Sequence, residues 1–94
     1  MAESTLFREV VVNNPEGLHA RPAHQLVTRA GQFEAEIAIS NGHEEVDGKS
    51  ILSILTLAAV HGTQLSLRAT GPDAKDALEA LVELFDRGFA DGGE

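Results

Sequence analysis

The chain has no cysteine, no tryptophan and no tyrosine, and each of these absences narrows the chemistry it can perform. Without cysteine, a disulfide framework, a thiolate nucleophile and a thiol redox centre are excluded. The only aromatic side chains are four phenylalanines, which are too few for a surface on which nucleic-acid bases stack. The 94 residues suit one small domain, whose hydrophobic core must hold the fold without covalent cross-links.

Basic residues are also scarce. Seven lysines and arginines stand against fifteen acidic residues, which gives a formal net charge of −8. Binding to nucleic acid or to an anionic membrane surface requires clustered positive charge, so the composition argues against both. No apolar run is long enough to cross a bilayer, and residues 1–5 lack the basic-then-apolar order of a signal peptide. The sequence therefore predicts a cytoplasmic protein.

Hydrophobic periodicity predicts seven elements in the order β-α-β-β-α-β-α. Strands are expected at 6–12, 34–40, about 43–46 and about 64–69, and helices at 20–30, from Ser50 to about Ala59, and from Ala74 to about Phe85. Each strand has one apolar face, so the helices should cover a single side of the sheet in a two-layer α+β fold. The dipeptide Asn41-Gly42 predicts a two-residue hairpin turn.

One histidine stands in an informative setting. His19 follows Gly17 and Leu18, and it precedes Ala20, Arg21 and Pro22. Proline is tolerated in a helix only within the first turn, which places His19 at or near the N-cap. At that position backbone N–H groups and the positive end of the helix dipole face an incoming anion. The run predicts a site that holds a phosphoryl group on a histidine.

Two separated motifs carry a family resemblance. The run 17–23 (GLHARPA) is similar to a phosphohistidine signature, and the run 48–52 (GKSIL) is similar to a serine-centred signature. Both belong to HPr, the histidine-containing phosphocarrier family of the bacterial phosphoenolpyruvate-dependent sugar phosphotransferase system. The resemblance extends from about Val10 to about Phe85. It implies an open-faced β-sandwich, with four antiparallel strands under three helices. We expect one domain over 1–94, ordered at about 5–88, with a flexible tail at 89–94.

The resemblance implies a phosphocarrier and not an enzyme that turns over a substrate. In the family, phosphorylated enzyme I transfers its phosphoryl group to Nδ1 of the signature histidine, here His19. The histidine then transfers the group to the IIA domain of a sugar permease. Arg21 and backbone N–H groups can offset the charge of the phosphoryl oxygens. No cofactor or metal is expected. A monomer is expected, because successive partners must reach one face of the carrier.

Ser50 has two interpretations. Its hydroxyl can cap the helix that follows, a contribution of about 1 kcal/mol. Alternatively, it is a regulatory site, as in bacteria that have HPr kinase/phosphorylase. A phosphate there would be tolerated at a helix N-terminus and would place negative charge near the partner surface. The sequence predicts the cap and leaves regulation open.

The helix after Ser50 has more apolar surface than its own packing requires. One side, made by Ile54, Leu57 and Ala58, is expected to face the core. The remaining apolar residues should be partly exposed beside the histidine, as is typical of a docking surface. The predicted docking residues are Ala20, His24, Ile51, Leu52 and Leu55.

The other three histidines do not indicate a metal site. His19 and His24 lie five residues apart on a helix, so their side chains diverge and do not form a zinc site. His43 and His61 are expected at the surface in turns.

The alternative function is a regulatory interaction protein of the same fold, or a nitrogen-branch phosphocarrier, that signals to kinases or transcription factors. The presence of His19 favours the carrier.

Overall fold

Seven elements follow one another in the predicted order in the computed structural model, which describes residues 4–90. The strands are β1 (Thr5–Val11), β2 (Glu36–Ser40), β3 (Glu45–Asp47) and β4 (Gln64–Thr70). The helices are α1 (Ala20–Ala30), α2 (Ile51–Thr56) and α3 (Ala74–Asp86).

The four strands form one sheet in the order β1-β4-β2-β3, and every neighbouring pair is antiparallel. Strand β4 shows why the sheet has one covered face. Its residues Leu65, Leu67 and Ala69 are buried, whereas the alternate positions are partly or fully exposed. Because side chains alternate across a strand, the buried set lies under the helices and the other set lies on the open face. The predicted open-faced, two-layer α+β fold is confirmed.

Helix α1 buries the stripe that the sequence indicates. Ala23, Leu26 and Ala30 have no exposed surface, and their spacing places them on one face of a helix. Pro22 is the third residue of the helix, within the first turn, as predicted. The residue before the helix, in extended conformation, is His19.

Strand β2 begins later than the alternating pattern suggests. The pattern predicts a strand from Glu34, but the sheet register begins at Glu36. The N–H groups of Glu34 and Ala35 instead donate to the carboxylate of Asp73, at 2.9 and 2.8 Å. Asp73 is the N-cap residue of α3. Its carboxylate accepts these two hydrogen bonds from the segment before β2 and makes no capping hydrogen bond to its own helix.

The turn after β2 is longer than predicted. Ser40 pairs with Glu45, so a four-residue loop separates the strands and β3 covers Glu45–Asp47 instead of 43–46. The side chain of Asn41 explains the longer loop. Its Oδ1 accepts hydrogen bonds from the N–H groups of His43 and Glu44, at 2.8 and 2.9 Å, and these bonds replace a tight two-residue turn.

Phe89, the first residue of the predicted tail, packs against the core. Its side chain is only 5% exposed, and its ring packs edge-on against Phe85 with centroids 4.9 Å apart. The N–H of Phe89 donates to the carbonyl of Leu84 at 2.9 Å, and Gln25 donates to the carbonyl of Phe89 at 3.2 Å. Residues 91–94 of the predicted tail lie outside the described residues.

Candidate functional site

His19 occupies the N-cap of α1, as the sequence predicts. Its φ and ψ are −82° and −167°, and its carbonyl accepts the first helical hydrogen bond, from Ala23 N at 3.0 Å. The imidazole does not cap the helix, and 45% of the side chain is exposed. The ring is therefore held at a helix N-terminus and remains accessible to a partner protein.

The loop before His19 is fixed from two sides. Gly17 has a positive φ of +75°, and a Cβ at this position would lie 2.5 Å from the carbonyl oxygen of Ala59. That same oxygen accepts a hydrogen bond from Leu18 N at 2.9 Å. On the other side, Asn14 Nδ2 donates to the carbonyl of Gly17 at 2.6 Å. The glycine is required here because the loop passes directly over the segment after α2.

A cleft of about 320 Å³ opens beside the imidazole. It brings His19 and Arg21 together, as the motif predicts. Its remaining walls come from the loop before the helix, from the helix itself and from the segment after α3. These wall residues are Asn14, Pro15, Glu16, Pro22, Gly88, Phe89 and Ala90.

The electrostatics of the cleft combine features of opposite sign. The first turn of α1 contains no acidic residue, so no side chain of that turn neutralises the positive end of the helix dipole at the cleft. Arg21 adds a permanent positive charge. The Glu16 carboxylate adds negative charge: its Oε1 lies 3.2 Å from Nε2 of His19. The site can attract an anion and also orient the ring that receives it.

The apolar side of α2 divides largely as predicted. Ile54 and Leu57 are buried in the core, Ile51 and Leu55 are partly buried, and 73% of Leu52 is exposed. The assignment of Ala58 to the core was wrong. Ala58 is exposed and has a positive φ of 49°, because the chain leaves the helix here. The helix therefore ends at Thr56 and not near Ala59.

Ser50 is the N-cap residue of α2, as predicted. Its Oγ accepts a hydrogen bond from Ser53 N at 3.3 Å, and the residue is half-buried. Of the remaining predicted residues, Ala20 and His24 are exposed on α1. Helix α1 packs against α2, so the histidine end of α1 and the apolar side of α2 belong to one layer of the fold.

The other two histidines are exposed in turns, as predicted. Within residues 4–90, no three His, Cys, Asp or Glu side chains are grouped closely enough to hold a metal ion. In the same range, no helix is long and apolar enough to cross a membrane.

Three residues of the site were not predicted from the sequence: Asn14, Glu16 and Phe89. Glu16 could have been found, because a residue three positions before the histidine lies within reach across a tight turn. Phe89 could not be found from helix periodicity, because α3 ends at Asp86 and Phe89 lies beyond it, at a positive φ of 62°. Asn14 carries no such signal, because its role depends on where the loop folds back.

Comparison with known proteins gives consistent results. A family model described as the PTS HPr component phosphorylation site matches residues 7–87. The phosphocarrier protein HPr of Pseudomonas putida is 42% identical over 86 residues, which cover 90% of this chain and 96% of that protein.

Two solved structures have the same fold. A crystal structure of HPr from Thermoanaerobacter tengcongensis matches with a TM-score of 0.88 and 34% identity, covering 92% of this chain and 97% of that one. Crh, a catabolite repression protein of Bacillus subtilis crystallised as a domain-swapped dimer, matches with a TM-score of 0.72 and 32% identity, covering 89% and 97%. The chain therefore belongs to the HPr family, the phosphocarrier proteins of the phosphotransferase system.

Proposed function

We propose that His19 is the residue that carries the phosphoryl group. It receives the group from phosphorylated enzyme I and delivers it to the IIA domains of sugar permeases. The observation that carries this proposal is the position of a half-exposed imidazole at the N-cap of α1, in a cleft it shares with Arg21. We place the protein in the cytoplasm, where these partners act on it.

The chemistry requires little of the protein beyond position and charge. A lone pair on the neutral imidazole attacks phosphorus, and the bond between phosphorus and enzyme I breaks with its electron pair remaining on enzyme I. Such transfers depend on alignment and on electrostatic stabilisation of the phosphoryl oxygens. The N-terminal turn of α1 and Arg21 supply that stabilisation. The carrier needs no metal or cofactor of its own, and it performs no turnover without its partners.

The exposure of the site suits a carrier. A buried nucleotide pocket surrounds a phosphate with many donors and holds it tightly. Here the ring is 45% exposed, so solvent weakens each charge interaction. The bound group is then stabilised enough to form and is still accessible to the next protein. Because both partners must approach the same face, we propose that the protein is a monomer.

The docking surface consists of Ala20, His24, Ile51, Leu52 and Leu55. Leu52 extends into solvent with 73% of its surface exposed, and nothing in the fold of residues 4–90 requires it there. Large exposed apolar side chains grouped beside a reactive residue are typical of protein contact sites. We propose that this surface meets enzyme I and the IIA domains in turn.

Ser50 is the proposed regulatory site, phosphorylated by HPr kinase/phosphorylase. Its Oγ already lies at a helix N-terminus, where a phosphate is electrostatically acceptable. The added charge would lie next to Ile51 and Leu52, and desolvating it would oppose docking. Phosphorylation at Ser50 is therefore expected to slow transfer to His19 without unfolding the protein.

Mass spectrometry of the intact protein tests the central proposal. The protein is incubated with enzyme I and phosphoenolpyruvate, and wild type is compared with His19→Ala and with His43→Ala as a matched control, since His43 is exposed in the turn between β2 and β3. An acid-labile phosphoryl adduct is expected in wild type and His43→Ala but not in His19→Ala. An adduct that persists in His19→Ala would show that another residue is the acceptor.

A second candidate function is supported by the likeness to Crh, whose name refers to catabolite repression. In this alternative the chain is a regulatory interaction protein or a nitrogen-branch carrier that signals to kinases or transcription factors. The same experiment separates the two. If wild type remains unlabelled under conditions that label a known carrier, the sugar-transport function is excluded and the regulatory function takes its place.

A further inference from the structure

Glu16 and His19 form a pair that the phosphocarrier chemistry described above does not use. Glu16 Oε1 lies 3.2 Å from His19 Nε2, and 80% of the Glu16 side chain is exposed. The chain already carries a large excess of negative charge. An additional carboxylate beside a group that must accept a phosphoryl anion repels that anion. Its presence beside His19 therefore requires an explanation.

The backbone holds Glu16 in a turn in front of the imidazole. Gly17 N donates to the carbonyl of Asn14 at 3.1 Å, which closes a turn around Pro15 and Glu16. The side chain of Asn14 donates back to the carbonyl of Gly17, and Leu18 is tied to Ala59. These hydrogen bonds fix the backbone on which Glu16 and His19 stand, so the carboxylate is carried within reach of the ring.

The chemistry of the two groups determines where the ring proton lies. A neutral imidazole has one N–H and one nitrogen with a free lone pair. An ionised carboxylate can only accept a hydrogen bond. A lone pair on Nε2 would face the negative charge of Oε1 at 3.2 Å, so the carboxylate favours the tautomer with the proton on Nε2 and the lone pair on Nδ1.

We propose that Glu16 is a positioning residue that holds His19 in the Nε2–H tautomer, so that Nδ1 is the nitrogen that attacks phosphorus. This inference rests on the proposed role of His19 as the phosphoryl acceptor. In the transfer, the Nδ1 lone pair forms the bond to phosphorus and the bond to enzyme I breaks. The Nε2 proton stays in place beside the Glu16 carboxylate. Carboxylates that orient a histidine through its other nitrogen have this effect in many sites.

The ring nitrogens report the tautomer directly in ¹⁵N NMR spectra of the unphosphorylated protein, recorded at a pH where the imidazole is neutral. The informative variants are Glu16→Gln, Glu16→Ala and Glu16→Asp. Glutamine has nearly the same shape, but its amide can accept from Nε2–H or donate to a bare Nε2, so it does not select a tautomer. Aspartate keeps the carboxylate on a shorter side chain. Glu44→Gln removes a similarly exposed charge from the turn between β2 and β3 and serves as the matched control.

We expect the ratio of Nε2–H to Nδ1–H at His19 to fall by about two- to fivefold in Glu16→Gln and Glu16→Ala, the range for an exposed charged pair. Glu16→Asp should recover part of the ratio, and Glu44→Gln should leave it unchanged. His24 gives an internal reference in every spectrum. An unchanged ratio in Glu16→Ala would overturn the inference. So would a loss in alanine that glutamine fully restores, because shape would then be sufficient.

The rate of phosphorylation by enzyme I provides the functional readout. We expect it to fall by a similar factor of about two to five in Glu16→Gln and Glu16→Ala, with partial recovery in Glu16→Asp. If His19 receives no phosphoryl group in wild type, the proposed function fails, and the tautomer ratio still tests the orienting contact. If His19 is phosphorylated at the same rate in all variants while the ratio changes, the role of Glu16 in transfer is overturned and the acceptor assignment stands.

Discussion

At the scale of single residues, the fold and the site both depend on the absence of a Cβ atom at Gly17. Its φ is +75°, and an added Cβ would meet the Ala59 carbonyl oxygen at 2.5 Å. Gly17→Ala is expected to reduce the free energy of unfolding by roughly 2–4 kcal/mol, because left-handed strain and a backbone clash add together. Urea unfolding measures this loss.

Gly42→Ala is the matched control for this substitution. Gly42 also has a positive φ, of +94°, but a Cβ there would meet nothing within 4 Å. The control should lose only the conformational contribution, about 1 kcal/mol. Equal losses in the two variants would show that the close approach to Ala59 is not important.

The carboxylate of Asp73 contributes to the stability of the protein in acid. The N–H of Glu34, and after it burial and the N–H of Ala35, set its pKa, and the net effect holds that pKa below the ordinary value. Because the folded-state pKa is lowered, the stabilisation is fully present above the unfolded-state pKa. It is lost as the pH falls through the folded-state value.

Asp73→Asn is therefore expected to be less stable than wild type at neutral pH, with the difference shrinking as both proteins are acidified. Urea unfolding measured across the acidic range checks this, and Glu44→Gln in the turn between β2 and β3 is the control, since Glu44 is exposed and lies outside any helix. A difference between Asp73→Asn and wild type that stays constant with pH would mean that shape, and not charge, is what the N–H groups require.

Residue-level prediction from the sequence succeeds where the signal is local. The N-cap position of His19 follows from Pro22 three residues later, and the cap at Ser50 follows from its place before an apolar run. The roles of Asp73 and Asn14 could not be predicted, because their partners are set by tertiary folding. Asp73 bonds to residues 39 and 38 positions away, and nothing in its own segment indicates that.

At the scale of elements, α2 combines a structural side with an exposed side. Leu52→Ala is expected to change the free energy of unfolding by less than about 0.5 kcal/mol, because its side chain is mostly in solvent already. We expect the same substitution to slow phosphoryl transfer from enzyme I, and Leu55→Ala to do so with a larger loss of stability. The rate of phosphorylation by enzyme I measures the effect on transfer, and urea unfolding measures the effect on stability.

Phe7→Ala is the control for the α2 variants. Phe7 is 58% exposed on the open face of the sheet, so its removal takes away comparable apolar surface far from α2. It should leave transfer unchanged. If Leu52→Ala and Leu55→Ala also leave transfer unchanged, α2 is not the docking surface.

The boundaries of elements show where periodicity stops being sufficient. The pattern of α2 continues to Ala59, but the helix ends at Thr56 because Ala58 adopts a positive φ and the Ala59 carbonyl is directed to Leu18. That contact belongs to the loop before His19. The sequence predicts a helix here, and the requirement to hold the histidine loop shortens it.

At the scale of the whole molecule, the order of strands could not have been deduced from periodicity alone. A single apolar face on each strand predicts two layers, but it does not place β4 between β1 and β2. The family resemblance implied four antiparallel strands under three helices, and the structure gives their spatial order. The composition, in contrast, predicts a whole-molecule property directly: the net charge of −8.

Excess negative charge destabilises a folded chain, because folding brings like charges together. Raising the ionic strength from about 0.01 M to about 0.2 M shortens the screening length from roughly 30 Å to under 10 Å. We therefore expect the Tm to rise by about 2–4 °C over this range. Salt also weakens stabilising ion pairs, but that opposing contribution to the Tm is small. Arg68 pairs with Glu45 through two hydrogen bonds, which lowers the pKa of Glu45 and raises that of Arg68, but this cluster lies on the open face and is itself partly screened.

Thermal unfolding followed by circular dichroism measures the salt response, with Glu79→Lys as the comparison. Glu79 is exposed on α3 between two acidic neighbours, Asp76 three residues before it and Glu83 four residues after it, with Lys75 four residues before it. A lysine there turns two repulsions into attractions and one attraction into a repulsion, and it brings the net charge nearer to zero. This variant should have a higher Tm than wild type at low salt and should gain less from added salt. A Tm that falls with salt in wild type would mean that specific ion pairs such as Arg68–Glu45, and not the overall excess of acidic residues, dominate the electrostatics of the fold.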